Sequence, residues 1–167
     1  MLAVACQLLL LMYHQITTLV DLYPFNGVRH HTGNERFTEA AVNAVLMLLP
    51  PIGFILRLRG LMLFGVVYYF ILLFFELVIW WVPYFTDPPP TWRRFYNLAL
   101  SLATSNFRKG DTLDTWASIH HRLHDGTITP LEPGKGPIRP NLEHIILHTW
   151  TIVTAVATTA AYSGFHR

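Results

Sequence analysis

Cysteine is almost missing from this chain of 167 residues. Cys6 stands alone, so no disulfide can form within the chain, and one thiol says little about redox compartment. Charge is scarce too. Lys, Arg, Asp and Glu make up 13%, about half the usual share of a globular protein. Apolar residues make up 52%. A chain this short cannot bury so much apolar surface in its own core, so lipid must take part of it. The net charge of +2 and pI near 8.9 come without any basic tract interleaved with aromatics, which sets nucleic acid aside as a partner.

Met1 to Val20 carries no charge, and the first basic residue is Arg29. A secretory leader needs a basic start and a small-residue cleavage site. Neither is found. Leu2 to Cys6 has the spacing of a lipoprotein cleavage box, but no hydrophobic region precedes it. The segment is expected to stay as a first helix. Walker loops, Gly-x-Ser-x-Gly elbows, Cys-x-x-Cys pairs and His-Glu-x-x-His are also missing. Glu143-His144-(x)3-His148 departs from the last of these because its carboxylate precedes the first His.

What is present is four long apolar stretches, each near the roughly 20 residues that cross about 30 Å of hydrocarbon. They run over 2–23, 40–56, 61–85 and 141–162, with an extramembrane loop at 86–140. The fold expected is an all-α polytopic membrane domain of four transmembrane helices, with an interfacial helix in the third loop. Thr32-Gly33-Asn34-Glu35 has capping-box spacing. Pro50-Pro51 removes two backbone donors within the second span and predicts a kink. Trp80, Trp81 and Tyr84 form an interfacial aromatic belt. In the long loop, Phe95, Leu98 and Leu102 share a helical face over 92–107, a second short helix is expected over 111–123, and Asn141 is placed to cap the last span.

The loops after the first and third spans hold nine of the 12 Lys and Arg residues, which by the positive-inside rule puts both in the cytoplasm. A bacterial plasma membrane is the expected setting. Lipid is the expected partner, together with a membrane protein or a second copy of the chain.

Ionisable groups in hydrocarbon cost roughly 2.5–3.5 kcal/mol each, so they face the bundle and find partners. Five stand out: His14 and Asp21 in the first span, Glu76 in the third, His144 and His148 in the fourth. Gln7, His14 and Asp21 are spaced by seven, and His144, His148, Thr151, Ala155 and Thr158 form one stripe. Tyr69, Glu76 and Trp80 form another. In an up-and-down bundle the five groups lie near one face in two layers. Asp21 and His144 are roughly 3–5 Å deep, and His14, Glu76 and His148 roughly 10–14 Å.

Imidazole and carboxylate are the usual ligands of Zn, Fe, Mn or Cu, so a transition metal held by His14, Glu76 and His148, with Asp21 and His144 beside them, is chemically sensible. The plainer alternative is a hydrogen-bonded network that fixes helix register and binds nothing. A haem b between His14 and His148 is a third option, with Ala155, Ala157, Thr158 and Ala160 leaving space. His30-His31 and His120 to His124 lie in loops at the same face. They read first as solvated basic surface, and otherwise as metal delivery or a loop folded over the bundle mouth.

Three functions follow. The first is a membrane-embedded metal-binding protein or enzyme acting on a lipid or quinone-like substrate. The second is an accessory or assembly subunit of a larger membrane complex. The third is a homo-oligomeric ion or proton pathway lined by Glu76 and the His stripe.

Overall fold

The computed structural model describes residues 1–87 and 113–165, together with Trp92, Phe95, Asn97 and Leu98. The described residues are helical, without strands, and four helices are long and apolar enough to cross a membrane. We number them α1 (Leu2–Leu19), α2 (Gly33–Ile55), α3 (Arg59–Phe85) and α5 (Leu142–Phe165), with the short α4 (Leu113–Leu123) between the last two. α1 packs on α2 and α5, and α3 packs on the same two, so the spans form a ring with α1 opposite α3. This is an all-α polytopic membrane bundle.

α1 stops four residues short of the expected Tyr23, and Asn26 is the reason. Its Nδ2 donates to the carbonyls of Thr17 and Val20, both at 2.8 Å. Its Oδ1 accepts the Leu22 N–H at 2.9 Å. The last turn of a helix leaves carbonyls without intrahelical partners, and this buried amide takes two of them. α2 begins seven residues before the expected Ala40. The Thr32 hydroxyl accepts the Glu35 N–H at 3.2 Å and Glu35 Oε2 accepts the Thr32 N–H at 2.6 Å, a complete capping box. Glu39, read as loop from sequence, therefore sits inside a span.

Pro50 and Pro51 lie within α2, which continues past them to Ile55. A Schellman turn ends it, with the Leu58 N–H on the Gly53 carbonyl at 2.8 Å and Arg57 at φ 55°. Here α2 and α3 touch backbone to backbone. A Cβ on Gly53 would overlap Leu61 and Met62, and one on Gly65 would press on the Pro50 ring.

α3 is α-helical to Glu76, opens into a π turn over Leu77–Trp81, and resumes over Val82–Phe85. α4 is amphipathic. Leu113, Trp116, His120 and Leu123 form its buried face, and Trp116 and Leu113 pack with Val78, Ile79, Trp80 and Ile138. It matches the second short helix expected over 111–123 and roofs the bundle. The interfacial helix expected over 92–107 falls largely outside the described residues. The strand-like chain after α4 is pinned by Ile128 N–H to the Pro24 carbonyl (2.9 Å) and Lys135 N–H to the Tyr84 carbonyl (2.9 Å). Asn141 then caps α5, as expected, its Oδ1 accepting the His144 N–H at 3.1 Å.

Candidate functional site

The ends of α1 and α3 and the starts of α2 and α5 meet beneath this roof, and their polar side chains line one cavity of about 540 Å³. α1 contributes His14, α2 Glu39 and Asn43, α3 Glu76 and Trp80, and α5 Glu143, His144 and His148. His31 and His124 enter from the roof. Four of the five residues picked out from sequence are thus brought together. Asp21 is not. The seven-residue spacing from His14 holds only while the helix lasts, and α1 has ended at Leu19. Asp21 is exposed and pairs with the Arg29 guanidinium at 3.2 Å.

In the deeper layer, Glu76 is 6% exposed and His148 3%. Glu76 Oε1 accepts the Thr151 hydroxyl at 2.8 Å, whereas its Oε2 has no hydrogen-bond partner among the described residues. His148 Nδ1 accepts the Trp81 indole N–H at 2.9 Å. An indole nitrogen only donates, so Nδ1 holds the lone pair and the neutral ring carries its proton on Nε2. That Nε2 is buried and also without a partner among the described residues. His148 is therefore set up as a hydrogen-bond donor, and it could ligate an ion only by giving up Trp81. The π turn makes this possible. Consecutive α-helical side chains diverge by about 100°, yet Trp80 and Trp81 both reach α5, one stacking on His144 at 3.7 Å and the other bonding His148. His14 Nε2 lies 3.8 Å from Glu39 Oε1, a partner that only the longer α2 supplies.

Lower in the bundle, Gln7 Nε2 donates to Thr158 Oγ1 at 3.0 Å and the Trp150 indole to the Cys6 carbonyl at 3.2 Å. These bonds lock α1 against α5, the register-fixing role that polar groups commonly play between membrane helices.

Nearer the mouth the organiser is Asn141, wholly buried. Its Oδ1 accepts the His144 backbone N–H, which settles the amide orientation, and also meets His144 Nδ1 at 2.6 Å. His144 Nδ1 therefore carries the proton and its Nε2 the free lone pair. Asn141 Nδ2 lies 3.2 Å from His124 Nδ1 and 3.5 Å from Thr127 Oγ1. Ligand atoms of His124, Glu143 and His144 all fall within 4.8 Å of one another. A metal-bound imidazole usually donates its other N–H to a carbonyl-type oxygen, which is the state Asn141 gives His144. His124 can offer Nδ1 by releasing Asn141 Nδ2 to Thr127.

Four imidazoles surround Trp80. Ring centroids run 4.7 Å from His120 to His124, 4.9 Å on to His144 and 5.8 Å on to His148. Burial lowers the roof members: His120 to about 4, His124 well below its ordinary 6.5, and His31 also downward. They are neutral at pH 7, the form that binds metals.

A two-His, one-carboxylate donor set with no cysteine among the cavity-lining residues suits Zn or Fe(II) and leaves coordination positions open. The residues fit such an ion, although bound donors sit about 3.4 Å apart in a tetrahedral site, so the set must draw inward. Glu143 and Glu39 lay outside the ligand set read from sequence, and His124 was read first as solvated surface and otherwise as part of a metal-delivery loop or one folded over the mouth. The capping box was the available signal for Glu39. The chain matches no protein-family model, no curated protein and no solved structure.

Proposed function

We propose that this chain is a membrane-embedded metalloenzyme whose centre is held by His124, Glu143 and His144 at the mouth of an intramembrane cavity. The supporting observation is the clustering of those three donors in the wall of a cavity whose lining also includes His148 Nε2 and Glu76 Oε2, buried atoms without a hydrogen-bond partner among the described residues. A bound Zn or Fe would supply Lewis-acid polarisation or an activated water. The protein's own groups do the rest. His148 donates a hydrogen bond to a substrate oxygen, Glu76 Oε2 accepts a proton or hydroxyl, and Trp80 and Trp81 hold the two imidazoles in place. At about 540 Å³ the cavity is within the roughly 300–1,000 Å³ of small-molecule sites, far more room than an ion needs. Relative to the ligand set expected from sequence, His144 stays a ligand, His148 and Glu76 become substrate-facing groups, His14 faces Glu39 instead of the ion, and Asp21 drops out.

Metal content of detergent-purified protein tests this. The wild type should retain about one equivalent of Zn or Fe, His144→Ala should lose it, and His148→Ala should keep it. Loss in His148→Ala with retention in His144→Ala would move the ion to the deeper layer. A Soret band near 400–430 nm, where haem proteins absorb, would replace the ion by haem b. No metal and no haem would refute the proposal.

A further inference from the structure

One wall of the cavity faces lipid. Val42 and Leu46 of α2 and Ile71 of α3 line the cavity and are also 54%, 37% and 49% exposed. A side chain that touches both spaces marks an opening. The helices explain it. α2 and α3 are clamped together at Gly53 and Gly65, next to their connecting turn, and the cavity-lining residues of both helices lie further along, toward the roofed face. Counting from Ala40, where the apolar stretch of α2 begins, Val42 and Leu46 lie roughly 3 and 9 Å into the span. The opening therefore leads into acyl chains.

The chemistry inside limits what can enter. Among the described residues, the cavity lining contains three carboxylates, Glu39, Glu76 and Glu143, and neither Lys nor Arg. An anionic head, phosphate or carboxylate, finds no cationic side chain among these residues to pair with, and burying an unpaired anion is costly. A neutral head with a carbonyl oxygen fits better, because the buried His148 Nε2–H has no acceptor among the described residues.

We propose that the gap between α2 and α3 is a lateral portal for a membrane-dissolved amphiphile with a neutral, carbonyl-bearing head. The head accepts the hydrogen bond of His148, and the apolar tail lies across Val42, Leu46 and Ile71 into the bilayer. Such a head belongs equally to an isoprenoid quinone and to an acylglycerol. The proposal rests on the cavity being the active site, as read above, and is independent of the metal.

The test uses protein in nanodiscs and follows Trp fluorescence during titration with decylubiquinone, monooleoylglycerol or oleate. At least one carbonyl-headed probe should bind saturably, and the tighter one identifies the source of the head. In metal-stripped protein, oleate at high pH should bind at least tenfold more weakly. Val42→Trp should weaken the probe at least tenfold while metal content stays at the wild-type level, and Ile71→Trp, on the opposite lip, should do the same. His148→Leu should weaken it with the portal intact. Unchanged binding in both lip variants, or oleate binding as tightly as the neutral probes, overturns the proposal. Saturable probe binding in protein that holds no metal would sink the metalloenzyme reading and leave the portal standing. Metal without any probe binding would do the reverse.

Discussion

Replacing Asn141 by Ala should damage stability and metal affinity together, by amounts that the structure lets one work out. The side chain caps α5, and loss of an N-cap costs about 1 kcal/mol. It also bonds His144 Nδ1 at 2.6 Å and His124 Nδ1 at 3.2 Å, in a site with no exposure. Each lost hydrogen bond to a buried partner costs about 1 kcal/mol or more. The contributions overlap, so a total of roughly 2–4 kcal/mol is expected. Removing the group that orients a ligating imidazole should lower metal affinity by about 10–100-fold. Asn141→Asp is the control. Its carboxylate still caps the helix and still accepts from His144, but it cannot donate to His124. It should lose at least about 1 kcal/mol, for the missing bond to His124 and the buried carboxylate, yet keep most of the metal affinity. Thermal unfolding in detergent gives the first quantity, and competition with a Zn chelator, below the unfolding temperature of the weaker variant, gives the second. Wild-type and Asn141→Ala affinities within twofold would refute the role assigned to Asn141.

The roof should respond to acid. Undocked His120 takes up a proton below about pH 6.5, whereas docked His120 resists protonation until about pH 4, so docking is full above 6.5 and weakens as pH falls through that window. That difference is worth about 3 kcal/mol, with His124 and His31 shifted in the same direction, and hydrogen exchange on metal-free protein should report α4 opening. Protection of α4 that stays flat from pH 7.5 to 4.5 would contradict this. Arg57→Gly should raise stability by about 1 kcal/mol in thermal unfolding, because φ 55° crowds any Cβ; a loss would mean the Arg side chain does more than occupy the turn. Asp21→Ala should leave metal content unchanged and stability within about 1 kcal/mol, as fits an exposed pair. A metal-free Asp21→Ala protein would return Asp21 to the centre.

The four spans were legible because hydrophobic length reports directly on bilayer thickness. Helical phase was nearly as informative, since it put His14, Glu76, His144 and His148 on inward faces that the bundle brings together. It failed at Asp21, where phase was counted past the end of a helix that Asn26 terminates. Glu39 was missed because the capping box at Thr32 was read as part of a loop instead of as the start of α2. Trp81 escaped the helical-phase reading, which put Tyr69, Glu76 and Trp80 on one stripe of the third span, and it bonds His148 from the end of the π turn. His124 and His31 depend on contacts between distant stretches, such as Gly27 against the Leu123 carbonyl, where a Cβ would not fit. Local pattern carries no signal for that docking.

The central claim is that His124, Glu143 and His144 hold an ion. X-ray absorption at the edge of the bound metal tests it most directly. The account predicts two imidazoles, one or two further oxygen donors and no sulfur, with an imidazole or the whole metal signal lost in His124→Ala and the metal signal lost in His144→Ala. A spectrum without imidazole scattering, or one unchanged by both substitutions, would contradict it.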